Sequence, residues 1–595
     1  MRWNLKQPQT ERVQSLANEL AALPEFRESA RTLAHLLILR GIETVESAQA
    51  FLCPSLAQLH SPYLMTGMKA AVDRLDAAIE RKEGILIYGD YDVDGTTAVV
   101  ILKTAIELCG GEADFHVPHR IREGYDLRGD VIERAAAAGI RLVISVDAGT
   151  RAFAAAESAR RAGIDLIITD HHLPGPDGLP NVLAVVNPNQ SGCEYPCKSL
   201  CGAGIAFKLA QALMERRLSH RDQPALLLSF MKVAAIATIA DSVPLVGENR
   251  VIASLGLSAL RKPVNPGLKA LLEVAELGGK GLSSGEVGFR IAPRINAAGR
   301  MDVARDVIDL FSTKDGAQAR EIAARLDKLN SDRQDEERRI LDAIEQRLAD
   351  DATLRDSYCM VIDGDGWHRG VIGITATRIV ERYGRPTLIV SRDGEEAHGS
   401  GRSIPAFHLL NALESCAQLF SRFGGHAYAV GFSIPAGRIA DLRAHLDSYA
   451  SACLSLTDFE PILSIDAELP LDSISPEFCE ILRQLQPFGA GNPEPIFCAP
   501  GRVAAPPKPV GEKHVRLKLG LDSTASTNGW RRALVHNAIG WRLAERISEA
   551  KVLAGDLVDV AFTLDHNEHA EFGGIELSLR DFRTRASASV KASAE

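Results

Sequence analysis

Between residues 87 and 95 the chain reads Ile-Tyr-Gly-Asp-Tyr-Asp-Val-Asp-Gly, so Asp90, Asp92 and Asp94 stand two residues apart just after the apolar run Ile85-Leu86-Ile87. Two more apolar runs end in the same chemistry: Leu142-Val-Ile-Ser-Val leads to Asp147, and Leu166-Ile-Ile-Thr leads to Asp170-His171-His172. A longer apolar stretch, 224–240, stops at Asp241. If the three short runs are strands of one parallel sheet, their tips converge where such sheets bind ligands. Carboxylates gathered there repel one another unless cations neutralise them. Hard oxygens with an imidazole suit Mn2+ or Mg2+ better than structural zinc. Two such ions would neutralise the cluster, acidify a water and stabilise the leaving oxygen of a phosphodiester. Asp147 is placed to bridge them, and Asp92, Asp94, His171 and Asp241 complete the shells, with Asp90 beside them. A lone Asp after a strand is more often a helix cap; it is their recurrence on successive strands that points to a metal centre.

The elements that must position these groups follow from patterning. Residues 66–305 alternate strand and helix: strands at 85–88, 113–118, 141–146, 164–169 and 182–186, with helices at 96–108, 129–138 and 152–162 between them. This is the pattern of a doubly wound α/β domain with a parallel sheet. Before it, residues 1–65 read as a segment of short helices. After it, 306–352 holds a run rich in Ala, Arg, Glu and Leu without internal Gly or Pro beyond Gly316. Thirty such residues make a connecting helix of about 45 Å, unless it breaks near Asn330-Ser331-Asp332. Residues 353–456 form a second, smaller α/β unit, and 457–585 switch to short strands and turns, as expected of a small barrel of the OB type. The small, polar tail 586–595 is expected to be disordered.

Composition sets the frame. The 595 residues, 46% hydrophobic and 24% charged with a net charge of −10, describe a multidomain globular protein. The richest apolar stretch, Leu226–Ala240, is broken by Lys232, so no membrane span is expected, and Met-Arg-Trp-Asn-Leu-Lys lacks the apolar core of a secretory signal. Ten scattered cysteines fit a reducing cytoplasm. Cys193, Cys197 and Cys201 recur every four residues without a fourth ligand in familiar spacing, which gives little support for an iron–sulfur or zinc site.

Taken together, Gly89–Gly95, Val146-Asp-Ala-Gly149, Thr169-Asp-His-His172, Cys201-Gly-Ala-Gly204, Ala240-Asp-Ser-Val243, Arg294-Ile-Asn-Ala-Ala-Gly-Arg300, Gly399-Ser-Gly-Arg-Ser403, Gly424-Gly-His426 and Gln486–Pro495 resemble the DHH phosphoesterase superfamily. Within it the chain is similar, over nearly its whole length, to the exonucleases specific for single-stranded DNA; the C-terminal motif and the β-rich region after it favour that branch. The resemblance implies a 5′-to-3′ exonuclease of recombination and repair that releases 5′-mononucleotides. It also implies Mn2+ or Mg2+ as cofactor, a single-stranded-DNA-binding protein and a helicase as partners, and a monomer in the cytoplasm. By resemblance Asp92, Asp94, Asp147, His171 and Asp241 are metal ligands, and Asp147, His171 and His172 form the catalytic core, His172 close to phosphate or metal. One departure stands out: many relatives carry histidine four residues before the Asp92 position, where this chain has Tyr88.

For the substrate, Arg120 follows the strand at 113–118 and points by the strand-end rule to the same sheet edge. Arginine forks suit phosphate, and glycine-rich turns can present N–H groups to it. The resemblance assigns Arg120, Ser400 and Arg402 to a 5′-phosphate pocket, adds Arg294 and Arg300, and gives Gly425 and His426 the role of gripping the strand. In 501–550, nine Lys and Arg (Arg502, Lys508, Lys513, Arg516, Lys518, Arg531, Arg532, Arg542, Arg546) stand against four acids, with Trp530 and Trp541 interleaved. Basic grooves with stacking aromatics are how barrels hold single strands. Two other readings fit parts of the pattern: a phosphodiesterase of short oligonucleotides or cyclic dinucleotides, and a non-catalytic replication scaffold.

Overall fold

The computed structural model describes all residues except 28, 121, 125, 302, 303, 522–533, 568–573 and 586–595. Trp530, Arg531, Arg532 and the C-terminal tail therefore lie outside the described residues. The chain divides into two compact units, Leu56–Pro461 and Met1–Ser55 with Ile462–Glu595.

In the first unit the five expected strands form one parallel sheet in the order Ala113–His116, Gly84–Gly89, Ile140–Val146, Asp165–Thr169, Ala184–Val186. Both faces are covered. Helices Met68–Glu80, Val93–Leu108, Gly202–Arg217 and Gln223–Ala240 contribute to the core on one side, and Gly129–Ala137 and Phe153–Ala162 to that on the other. Burial on both sides is why the strands read as continuous apolar runs rather than alternating ones. The helix Gln223–Ala240 is long and apolar enough to cross a membrane by length and composition. Its residues Phe230, Met231 and Ala234–Thr238 are buried against its neighbours in the core.

The long helix is continuous from Gly316 to Asp350, 35 residues, or about 52 Å. It does not break at Asn330. There Asn330, Arg333 and Glu337 are buried on one face, with Arg333 bonded to both of the others. The second sheet runs Arg422–Gly425, Ala429–Pro435, Glu396–Arg402, Thr387–Asp393, Met360–Asp365 and is parallel only between the last two. Ser400 and Arg402 therefore sit in a strand rather than a loop.

In the second unit, strands Phe497–Val510, His514–Gly520, Val535–Gly540, Gly574–Thr584 and Leu557–Asn567 close into a five-stranded barrel, because the first also pairs with the last. The N-terminal segment does not stand alone. Arg2–Leu5 forms a parallel strand pair with Ile462–Ile465, and helices Thr10–Ala21, Ala30–Ile38 and Val45–Leu52 share the barrel's hydrophobic core.

Candidate functional site

The three strand tips converge as the sheet topology requires, and local hydrogen bonding fixes each carboxylate. Asp92 caps the helix Val93–Leu108, accepting from the N–H groups of Asp94 and Gly95 at 2.9 and 3.1 Å. Asp94, in the first turn of that helix, is buried and accepts from the N–H groups of Gly202 and Ala203 at 2.6 and 2.7 Å. The positive end of the helix Gly202–Arg217 thus faces a carboxylate. Residue 202 must be glycine, since a Cβ there would come within 2.5 Å of the Asp147 side chain. Asp147 ends its strand with φ +59°, in the left-handed region. That conformation costs an L-residue about 1–2 kcal/mol, and it is held by the bond from the Asp147 N–H to the Thr169 carbonyl.

Three groups of side chains have ligand atoms within 4.8 Å of one another: Asp90, Asp92 and Asp147; Asp94, His171 and Asp241; and Asp147, His171 and His172. His171 Nε2 faces three carboxylates, 3.3 Å from Asp147 Oδ1, 3.8 Å from Asp94 Oδ2 and 4.0 Å from Asp241 Oδ2. Asp147 Oδ1 and Asp90 Oδ1 are buried and accept no hydrogen bond among the described residues. Burial and the mutual repulsion of the carboxylates push Asp90, Asp92 and Asp147 above the usual carboxylate range, and Asp241 up to about 8. Unsatisfied buried oxygens and strongly raised acids are the marks of a cage that expects cations. The set of hard oxygens with imidazole fits Mn2+ or Mg2+.

Asp170 belongs to a different layer. It accepts from the N–H groups of Thr150, His171 and His172 and lies 2.7 Å from His172 Nδ1. Burial would raise its pKa, but the His172 and Thr150 contacts hold it below the usual range. In return, against the pull of burial, Asp170 pushes His172 up to about 9. Asn187 and Asn189, which the sequence reading passed over, hold the carbonyls of His172 and His171 at 2.9 and 2.7 Å. Their signal was the strand-end run Val186-Asn-Pro-Asn-Gln190. Tyr88, where the resemblance leads one to expect histidine, turns to the other face of the sheet, with its hydroxyl on the Asp126 carbonyl at 3.0 Å.

Next to this cage stands its electrostatic opposite. Arg120 lies 5.0 Å from the centre of the Tyr91 ring, between Asp90 and Asp92 in sequence. Arg300 donates to the Gly370 carbonyl at 3.0 Å, and Arg402 to Ser400 Oγ at 3.2 Å. Burial, then Arg120, Arg333 and Arg402, pull Arg300 down to about 10, and burial and Arg120 lower Arg402. Among the described residues none of Arg120, Arg300 and Arg402 has a carboxylate within 4 Å, although Asp92 acts on Arg300 from further away. Arg120 depresses both of the others, so the three guanidinium groups act on one another, and planar forks without a carboxylate partner suit a phosphate.

The motif of residues 294–300 now divides by role. The Asn296 side chain accepts from the Val93 N–H at 3.1 Å. Gly299 admits the Tyr91 carbonyl, which a Cβ would meet at 2.2 Å. Arg300 enters the cationic pocket, whereas Arg294 is held elsewhere, by Asp327 at 2.8 Å. Six residues turn a helix about 240° beyond full circle, so the two arginines leave on different faces. Gly425 and His426 lie exposed at the tip of the hairpin beside Arg402, where Ala429 is the register partner of Arg402. The cysteine run has no metal role visible here: Cys201 caps the helix Gly202–Arg217, and all ten cysteines are free.

Fold and site together define a metal-dependent phosphoesterase. The DHH family N-terminal domain matches residues 84–238, the DHHA1 domain 356–452 and the RecJ OB domain 465–581. The chain is 38% identical to the single-stranded-DNA-specific exonuclease RecJ of Bacillus subtilis, covering 88% of this chain and 65% of that protein. It is 36% identical to RecJ of Dickeya dadantii, covering 82% and 86% respectively. The crystal structure of Thermus thermophilus RecJ in complex with Mn2+ superimposes with a TM-score of 0.80 at 28% identity, over 98% of this chain and 80% of that one. The chain belongs to the RecJ family of single-stranded-DNA-specific exonucleases.

Proposed function

We propose that this protein degrades single-stranded DNA from its 5′ end, releasing 5′-mononucleotides, in DNA recombination and repair. The observation that carries this reading is the adjacency of two opposite sites: Arg120 lies 5.0 Å from the centre of the Tyr91 ring, between Asp90 and Asp92 in sequence, and Arg300 leaves the helix whose Asn296 holds the Val93 N–H. A terminal phosphate on Arg120, Arg300, Arg402 and Ser400 leaves the next phosphodiester within reach of the carboxylate cage.

Asp90, Asp92 and Asp147 would hold one divalent ion and Asp94, His171 and Asp241 a second, with Asp147 and His171 available to both. Mn2+ or Mg2+, when bound, supplies charge neutralisation and acidifies water. The chain's own groups do the rest. Asp170 keeps His172 protonated, so His172 offers a positive N–H toward the phosphate oxygens. The arginines fix the 5′ end, which is the entropic part of catalysis. Water attacks phosphorus in line, the P–O3′ bond breaks, and the 3′ oxygen leaves with the first nucleotide. The shortened strand keeps a 5′-phosphate, which is what the arginine pocket binds next.

The barrel would serve as a track for the strand, with exposed Trp541, Lys508, Lys513, Lys518 and Arg542. Gly425 and His426 would grip the strand at the exposed hairpin tip. We place the protein in the cytoplasm, as a monomer that works with a single-stranded-DNA-binding protein and a helicase. The gathering of Asp90, Asp92, Asp94, Asp147, His171 and Asp241 into ligand groups disfavours a non-catalytic scaffold, and the match to the OB domain disfavours an enzyme of short oligonucleotides alone. The test is digestion of 5′-labelled and 3′-labelled strands with Mn2+, Mg2+ or chelator. Early release of labelled mononucleotide from the 5′-labelled strand alone is expected, and early release from the 3′ label would refute the polarity.

A further inference from the structure

Arg120 stands on a connection between the strand Ala113–His116 and the helix Gly129–Ala137, and its reach depends on how that connection is held. Four fixings meet there. Fully buried Tyr88 donates to the Asp126 carbonyl at 3.0 Å, and its ring lies 5.2 Å from that of His116. His116 Nε2 is 3.2 Å from Glu123 Oε2. The other Glu123 oxygen accepts from the N–H of His119, the residue before Arg120, at 3.0 Å. Arg128 donates to the Glu123 carbonyl at 3.2 Å. Asp126 takes φ +82° where Tyr88 meets it, and its carboxylate accepts from the Leu127 N–H. Tyr88 packs on the face of the sheet away from the cage, and Glu123 belongs to none of the ligand groups formed by the described residues.

We infer that Tyr88 and Glu123 are positioning residues for Arg120, which set the grip on the terminal phosphate and leave the hydrolytic cage untouched. The physical reason is entropic. An arginine at a loop position has many rotamers and a mobile backbone, and each must be restricted before its fork can meet a phosphate. The Glu123 carboxylate ties down the peptide next to Arg120, and the Tyr88 hydroxyl ties the far limb of the same connection to the sheet. The inference rests on the reading that Arg120 holds the 5′-phosphate.

The test uses the full chain with Tyr88→Phe, Glu123→Ala and, as reference, Arg120→Ala. Each is measured on matched single strands carrying a 5′-phosphate or a 5′-hydroxyl, with Mn2+ affinity from calorimetry and thermal unfolding to confirm folding. Loss of one hydrogen bond predicts a rise of about fivefold in KM for the phosphorylated strand. KM for the hydroxyl strand, kcat and Mn2+ affinity are expected to stay within about twofold. A collapsed phosphate preference in Arg120→Ala beside an intact one in both other variants would overturn the inference and leave the phosphate reading standing. An intact preference in Arg120→Ala would overturn the phosphate reading, and the inference with it. Weakened Mn2+ binding in either variant would show that the network serves the cage, against the inference.

Discussion

The carboxylate cage and the arginine pocket are opposite in charge and also in construction. The cage sits on strand tips and helix ends. Asp92, Asp94 and Asp170 each accept two or more backbone N–H groups, which leaves their short side chains little freedom. The pocket draws long side chains from a connecting loop, a helix and a strand of a second domain. Bond cleavage demands ligand atoms fixed within a fraction of an ångström, and holding a phosphate tolerates more play.

The comparison can be broken most severely at Asp147. Asp147→Asn is expected to lower exonuclease activity by at least about 10³-fold, on the scale of losing a ligand that would serve both proposed ions. It should also raise the melting temperature of ion-free protein, because it removes a buried like charge. Measurable turnover close to that of the parent, or a lower melting temperature without ions, would contradict the cage. Arg402→Ala should act differently, raising KM for 5′-phosphorylated strands by about 10- to 100-fold through lost charged hydrogen bonds, with little change in Mn2+ affinity. A parallel loss of Mn2+ binding would merge the two sites into one.

The pH dependence sharpens the contrast. Asp241, normally 3.8 and here about 8, binds a proton more readily when folded. So does His172, normally 6.5 and here about 9. A group with a raised folded pKa stabilises the fold below its unfolded pKa and loses that contribution as pH rises through the folded one. Ion-free protein should therefore melt at progressively lower temperature from about pH 4 to about pH 9, and saturating Mn2+ should flatten the slope; calorimetry across that range checks it. The smallest effect is expected at Arg294→Ala. Its ion pair with Asp327 is partly exposed, so stability should fall by no more than about 1 kcal/mol. KM should stay within about twofold. A KM change as large as that of Arg402→Ala would return Arg294 to the pocket.

The cage was legible because it is a consequence of local pattern plus one topological rule. Apolar runs ending in Asp or His become parallel strands whose tips must meet, and Asp147 needed no tertiary information to be singled out. The pocket was legible in part. Arg120 and Arg402 follow from strand ends and a glycine-flanked motif, but Arg294 and Arg300 look alike in sequence and differ in which helix face they leave by. Asn187 and Asn189 sit in a strand-end run that could have drawn attention to them, whereas Asn296 has no signature in spacing, because a side-chain amide that braces a backbone group leaves none.

The sequence by itself determined the α/β pattern, the acidic strand tips and the β-rich C-terminal region, because these rest on periodicity and on chemistry read over a few residues. Only the tertiary structure decided that Gly202 and Ala203 cradle Asp94 from more than a hundred residues away. It alone joined the first 55 residues to the barrel through Arg2–Leu5 and Ile462–Ile465. Contacts so distant along the chain depend on how hydrophobic faces find partners across the whole fold, and no local pattern encodes that choice.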